Sequence, residues 1–356
     1  MNIPLPPKTR YMDRTTDQIE QLREIAQGTA DDHGWTLHMT VEPQPGSLFT
    51  AVVEFTHDAP TAPAVVPPPA AAVPLGAAVA QPAAPATAAG GFSAGGRPLS
   101  AAALQLATVN LGGLDAALLL ALFKKETPFL SGFLADRRPF ILYERHVFSR
   151  NSGNKFDADH PAISSGTPYK AGIAGDDGYG TYTGQYDRLA QAMVLSPKAA
   201  LMACSWGIGQ TLGEGFVDMG YPDVQSFVAD MVAGEDRQAA AAVREINSKK
   251  VAGLLKKQDF RGFALAYNGA ASFPSYAVEL EQNFNRYTVN GLPDLTLRHA
   301  QMLLCYRHFF TVSQVDGVMG PITGAALLKF QQQQGLPKSG LPDATTLARL
   351  DTLVFG

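Results

Sequence analysis

The sequence predicts a mainly α-helical protein, with one small α+β module at its start and a small three-helix bundle at its end. Three observations lead there. Apolar residues recur at helical spacing through most of residues 99–356. Strand-like runs are confined to residues 35–55. Between these regions, residues 59–98 hold 15 Ala and 9 Pro in 40 positions, with Arg97 the only charge. Such a stretch cannot bury enough apolar side chain to offset its ordering entropy. The 356 residues therefore divide into a module at 1–58, an Ala/Pro-rich linker at 59–98, a body at 99–290 and a tail at 291–356.

In the first module, Ile19, Leu22, Ile25 and Ala26 predict a helix over 15–33. WTLHMTVEP (35–43) and SLFTAVVEF (47–55) predict two strands, with PQPG as the turn between them. The linker, taken as a flexible coil, spans roughly 35 Å. In the body, Leu104, Val109, Leu111, Leu114, Leu118 and Leu122 predict one helix over 101–124. A second follows Ser196-Pro197 through AALMACSW, and others are expected at 223–233, 236–247, 249–257 and 259–267. Residues 149–185, rich in Gly, Asp, Asn, Tyr and Ser, have loop composition, and long loops in compact domains are often functional. In the tail, Leu297, Ala300, Leu303 and Leu304 share one face of a helix over 294–309. Pro321 opens the next helix, Gly335 closes it, and Asp343 caps the last.

Net charge is −4, distributed as −5 over 1–58, +1 over 59–98, −1 over 99–291 and +1 over 292–356. No segment is basic enough for phosphate-backbone binding, so nucleic acid is excluded as a partner. No apolar run reaches the ~18 residues of a membrane span. The start, MNIPLPPKTRYMDRTTDQIEQL, lacks the apolar core of a signal peptide. The chain is therefore expected to be made in the cytoplasm and to need another route to any target outside it. Cys204 and Cys305 form neither a disulfide framework nor a zinc cluster and read as buried thiols. With no H-E-x-x-H and no acidic Gly-containing calcium loop, neither metal nor cofactor is expected.

The tail carries VDGVMGPITGAALLKFQQQQGLPKSGLPDATTLARL. In order, Asp316, Gly317, Gly320, Pro321, Thr323, Phe330, Gln331, Gly335, Leu336, Gly340, Asp343, Thr346 and Leu350 match the pattern of the three-helix peptidoglycan-binding domain, with Gln301 in its first helix. The resemblance implies bacterial peptidoglycan as a partner, held in a shallow groove between short helices. The body carries ALFKKETPFLSGFLADRRPFILYERHVFSR, ALMACSWGIGQTLG and FALAYNGAASFPSYAVEL. Together these resemble the phage-type N-acetylmuramidases, within the lysozyme and lytic-transglycosylase superfamily. The resemblance covers about 115–287 and implies a lysozyme-like helical catalytic domain that cuts between N-acetylmuramic acid and N-acetylglucosamine.

The residue types suit that chemistry. Protonating a glycosidic oxygen near neutral pH needs a carboxyl group whose pKa is raised by apolar surroundings. Glu126 closes a long apolar helix before Thr127-Pro128-Phe129, and the resemblance points to it as the acid. The alternative is a solvated helix-end Glu beside Lys124 and Lys125. Glu144, in ILYERHVF, is the candidate base that aims a water, as an inverting hydrolase requires. The alternative is a structural Glu paired with an Arg, and which of the two is the acid stays open. His146 reads as a core or a hydrogen-bonded histidine rather than a catalyst, and Asp176 and Asp177 as solvated loop acids. The resemblance adds Ser205, Trp206, Gln210, Tyr267 and Asn268 as substrate-cleft residues, with Trp206 evenly a core aromatic or a sugar platform.

Two rival functions remain. A lytic transglycosylase of the same superfamily needs one Glu and no base. A non-catalytic wall-binding or virion structural protein needs neither. An endolysin would wait for holin release, whereas an injected effector or virion-borne lysin would dock on delivery machinery or a virion protein through 1–58.

Overall fold

The computed structural model describes residues 9–14, 35–44, 48–57, 92–93, 95–127, 129–170, 178–269 and 273–356. The expected helix over 15–33, Pro45 and Gly46 of the expected turn, most of the linker, and Asp176 and Asp177 lie outside those residues; Pro43 and Gln44 belong to a strand.

The chain separates into two units, at 1–81 and 82–356. The first holds strands β1 (Thr9–Arg14), β2 (Trp35–Gln44) and β3 (Leu48–His57). They form an antiparallel sheet in the order β1-β3-β2, with Trp35 opposite His57 and Gln44 opposite Leu48. The two expected strands are present; β1, which the sequence reading did not include, supplies a third.

The second unit is mostly helical. The single helix expected over 101–124 is two, α1 (Ala101–Asn110) and α2 (Ala116–Glu126). Gly112 and Gly113, at φ 72° and 76°, turn the chain between them, and the Asp115 side chain caps α2 by accepting from Ala117 N–H at 2.8 Å. Then come β4 (Ile141–Tyr143), α3 (Arg145–Asn151), α4 (Gly184–Leu195) and α5 (Pro197–Met202). The helix expected to run on through CSW stops at Met202. Cys204–Trp206 is instead strand β5, paired antiparallel with β4 and with β6 (Thr211–Leu212).

The remaining body helices are α6 (Val224–Ala233), α7 (Glu235–Ser248), α8 (Ala252–Lys256), α9 (Phe260–Asn268) and α10 (Phe273–Asn290). At 18 residues, α10 was not anticipated, because its polar composition masks the periodicity of Tyr276, Ala277, Leu280 and Phe284, which are buried. The tail folds as expected into α11 (Leu295–Tyr306), α12 (Pro321–Gln334) and α13 (Ala344–Phe355). Among the described residues no helix is long and apolar enough to cross a membrane.

Two apolar clusters build the body. One gathers Tyr143, Phe148, Trp206 and Phe227 around the β4-β5-β6 sheet. The other gathers Phe123, Ile208, Ile246, Phe263 and Leu280 around α2. Each ends beside one candidate carboxylate: α2 runs into Glu126, and β4 runs into Glu144. A third cluster joins the tail helices and includes Phe133 of the body, so the tail is packed into the same unit as the body.

Candidate active site

Helix α2 is buried along its length from Ala117 to Phe123, which makes it a central helix. Thr127 closes it, its N–H donating to Phe123 O at 3.0 Å and its hydroxyl to the same oxygen at 2.9 Å. Glu126 is therefore delivered, half-buried, at the negative end of the helix dipole, where a carboxylate is disfavoured. The Tyr276 hydroxyl, from α10, donates to Glu126 Oε1. Burial pushes the Glu126 carboxyl up to about 7, against the pull of Tyr276 and Lys125.

Behind Tyr276 lies a second polar layer. The Tyr267 hydroxyl donates to Glu245 Oε2 at 2.9 Å, and Lys249 Nζ sits 2.9 Å from Glu245 Oε1. The Tyr267 ring stacks on Phe263 with centroids 4.9 Å apart. Of the two tyrosines in the third motif, Tyr276 is thus the one bonded to Glu126, and Tyr267 is bonded to Glu245. Tyr276, Glu245 and Lys249 were not singled out from sequence. The tyrosine that follows the Y-N-G motif was the available signal for the first; nothing local marks the other two. Asn268 is exposed at the end of α9.

Glu144 is positioned by the small sheet. Leu142 pairs with Ser205, Tyr143 with Cys204, and Glu144 N–H donates to Ala203 O at 2.8 Å. Its backbone is extended as it enters α3, and its carboxyl turns to Tyr179, whose hydroxyl lies 3.1 and 3.0 Å from the two oxygens. His146 Nδ1 is 3.2 Å from Glu144 Oε2 but off the hydrogen-bond direction, so the contact is not a hydrogen bond. Burial pushes Glu144 up to about 7, while the Tyr179 bond and the charge of Arg150 pull it down. Burial, with Arg150, pushes His146 down and favours the neutral ring. Arg150 itself pairs with Glu214. Tyr169 stands edge-on to Tyr179 at 5.5 Å, with Arg145 and Arg188 over its own ring at 4.7 and 4.0 Å.

Ser205 is half-buried on the middle strand, opposite Leu142 and Leu212. Trp206 needs correction as a cleft residue. It is 0% exposed, donates Nε1–H to Leu201 O at 3.2 Å and packs on Phe92 at 5.7 Å, so it builds the core under the sheet. Gln210, at φ 45°, is half-buried and donates its amide to Gly207 O at 2.9 Å. Gly207 (φ 69°) admits no side chain, since a Cβ there would meet Gln238 Cδ at 2.3 Å. Both cysteines are buried free thiols.

The tail repeats one device. Gln301 accepts from Gly317 N–H at 2.8 Å and donates to Thr323 Oγ1 at 3.1 Å. Gln331 accepts from Gly340 N–H at 2.8 Å and donates to Thr346 Oγ1 at 3.0 Å. Both glutamines are 0% exposed, so these motif residues brace the module's loops.

Two family models match the chain. One is N-acetylmuramidase, over residues 115–288. Residues 115–288 belong to that family. The other is a peptidoglycan binding domain, over 294–350. With both domains the chain is a peptidoglycan hydrolase. Among solved structures, the crystal structure of a Burkholderia AP3 phage endolysin is 37% identical over 54% of this chain and 73% of that chain, with a TM-score of 0.46. No curated protein matches.

Proposed function

We propose that the hydrolase cleaves between N-acetylmuramic acid and N-acetylglucosamine, with Glu126 as general acid and Glu144 as the base that activates water. The observation that carries this reading is the setting of Glu126. It is a half-buried carboxyl at a helix C-terminus, bonded to Tyr276 and raised to about 7, so much of it stays protonated at neutral pH. Glu144 is raised to a similar value in a separate setting, so it can take a proton from water near the same pH. In this reading Ser205, Gln210, Tyr267 and Asn268 contact the glycan. The tail module holds the enzyme on its insoluble substrate and raises the local substrate concentration. Delivery is by holin release, as for an endolysin, or by injection or a virion, in which case residues 1–58 dock on the delivery machinery.

Tyr179 within reach of both Glu144 oxygens favours a second reading, a transglycosylase that uses Glu126 alone. Mass spectrometry of the released muropeptides separates the two. Reducing muramic acid ends support hydrolysis; 1,6-anhydro ends support transglycosylation.

A further inference from the structure

A fully buried polar cluster outside the proposed cleft joins the two domains. Arg298, on tail helix α11, is 0% exposed, as is Glu235, the first residue of body helix α7. Their contact is bidentate, with Nη1 to Oε2 at 2.6 Å and Nη2 to Oε1 at 2.7 Å. Glu235 also accepts from Leu99 N–H and Gly132 N–H, both at 2.7 Å. Arg298 Nε donates to Leu130 O at 2.8 Å, and its Nη2 reaches the same oxygen.

One turn along α7, Gln238 accepts from Ile208 N–H at 2.8 Å. A Cβ on Gly132 would meet its Oε1 at 1.9 Å, so loop and helix are in direct contact. The backbone gripped here is not arbitrary. Leu130 and Gly132 lie on the segment that runs from Glu126 to Glu144. Leu130 holds a φ of 44°, a strained value for a branched side chain, and Arg298 bonds its carbonyl. Ile208 lies on the turn that leads to Gln210.

We propose that Arg298 is a positioning residue for the cleft, through which the wall-binding module sets the loop between the two carboxylates. A guanidinium is needed because its planar fork satisfies Leu130 O and both Glu235 oxygens together, which a lysine ammonium cannot do. The inference rests on the reading of Glu126 as the acid.

The test uses the full chain, a soluble glycan fragment and an insoluble-wall pull-down. Arg298→Lys keeps the charge opposite Glu235 and should fold. It should bind the wall as wild type does and keep its KM, yet lose kcat by about tenfold, as a small misplacement of catalytic groups does. Arg349→Ala, on the exposed face of the same module, should change none of these. If Arg298→Lys does not fold, Glu235→Gln combined with Arg298→Met removes both charges and carries the same expectation. Wild-type kcat in the folded variant, with only a lower melting temperature, would overturn the proposal and leave Arg298 a structural tie. A wild-type enzyme that does not cleave the fragment would instead overturn the reading on which the inference rests.

Discussion

Glu126 and Glu144 arrive at the same pKa, about 7, by different routes. Glu126 ends a buried helix and meets the negative end of its dipole; Glu144 precedes a helix and meets the positive end. Glu126 is bonded by Tyr276 and answers to Lys125, Glu245 and Lys249. Glu144 is bonded by Tyr179 and answers to Arg150. One sits on the α2 cluster and the other on the sheet cluster. The difference teaches that a single shifted value does not define a role. A carboxyl at a helix C-terminus is biased toward the protonated form an acid needs. One at a helix N-terminus, beside an arginine, is biased toward the anion a base needs.

The sharpest way to break the comparison is Glu126→Gln. General acid catalysis is worth about 10²–10⁴-fold, so reducing-end release should fall by that much while wall binding survives. The same variant should be more stable than wild type above neutral pH. A carboxyl raised from 4.5 to about 7 favours the folded state while protonated, and that contribution fades as pH climbs through 7. Melting temperatures at pH 5 and pH 8 would check this, the gain being larger at pH 8.

Glu144→Gln should lose hydrolysis by about 10²-fold and flatten the acid limb of the pH–rate profile. A stable Glu144→Gln enzyme with full activity would remove Glu144 from the mechanism.

Deleting 292–356 strips Arg298 from Glu235 and uncovers Phe133, which packs in the tail's apolar cluster. The packed interface predicts a large drop in melting temperature, measurable by calorimetry.

The smallest expected effect is the most discriminating. Tyr276→Phe and Tyr179→Phe each remove a bond that holds a carboxyl down. Tyr276→Phe should move only the alkaline limb upward, by about one pH unit, and Tyr179→Phe only the acid limb. If either substitution moves both limbs, the two environments are not independent.

Much of this molecule is legible in its sequence. The tail helices announce themselves through Pro321, Gly335 and Asp343, because caps and turns are local chemistry. Glu126 is marked by its place after an apolar helix. What was not legible is tertiary. The CSW strand reads as helix because its apolar run has no period of its own; pairing with β4 decides it. Trp206 could face sugar or core until its burial is seen. Tyr276, Glu245 and Arg298 act through partners 150, 22 and 63 residues away, which no local pattern reveals.

The anomeric configuration of the first-formed product, followed by NMR on a soluble glycan, tests the division of labour most directly. With Glu126 as acid and Glu144 aiming a water at the opposite face, the new reducing end should first appear with the configuration inverted from that of the bond broken. A product that first appears with retained configuration, or as a 1,6-anhydro sugar, would contradict the assignment of Glu144 as the water-activating base.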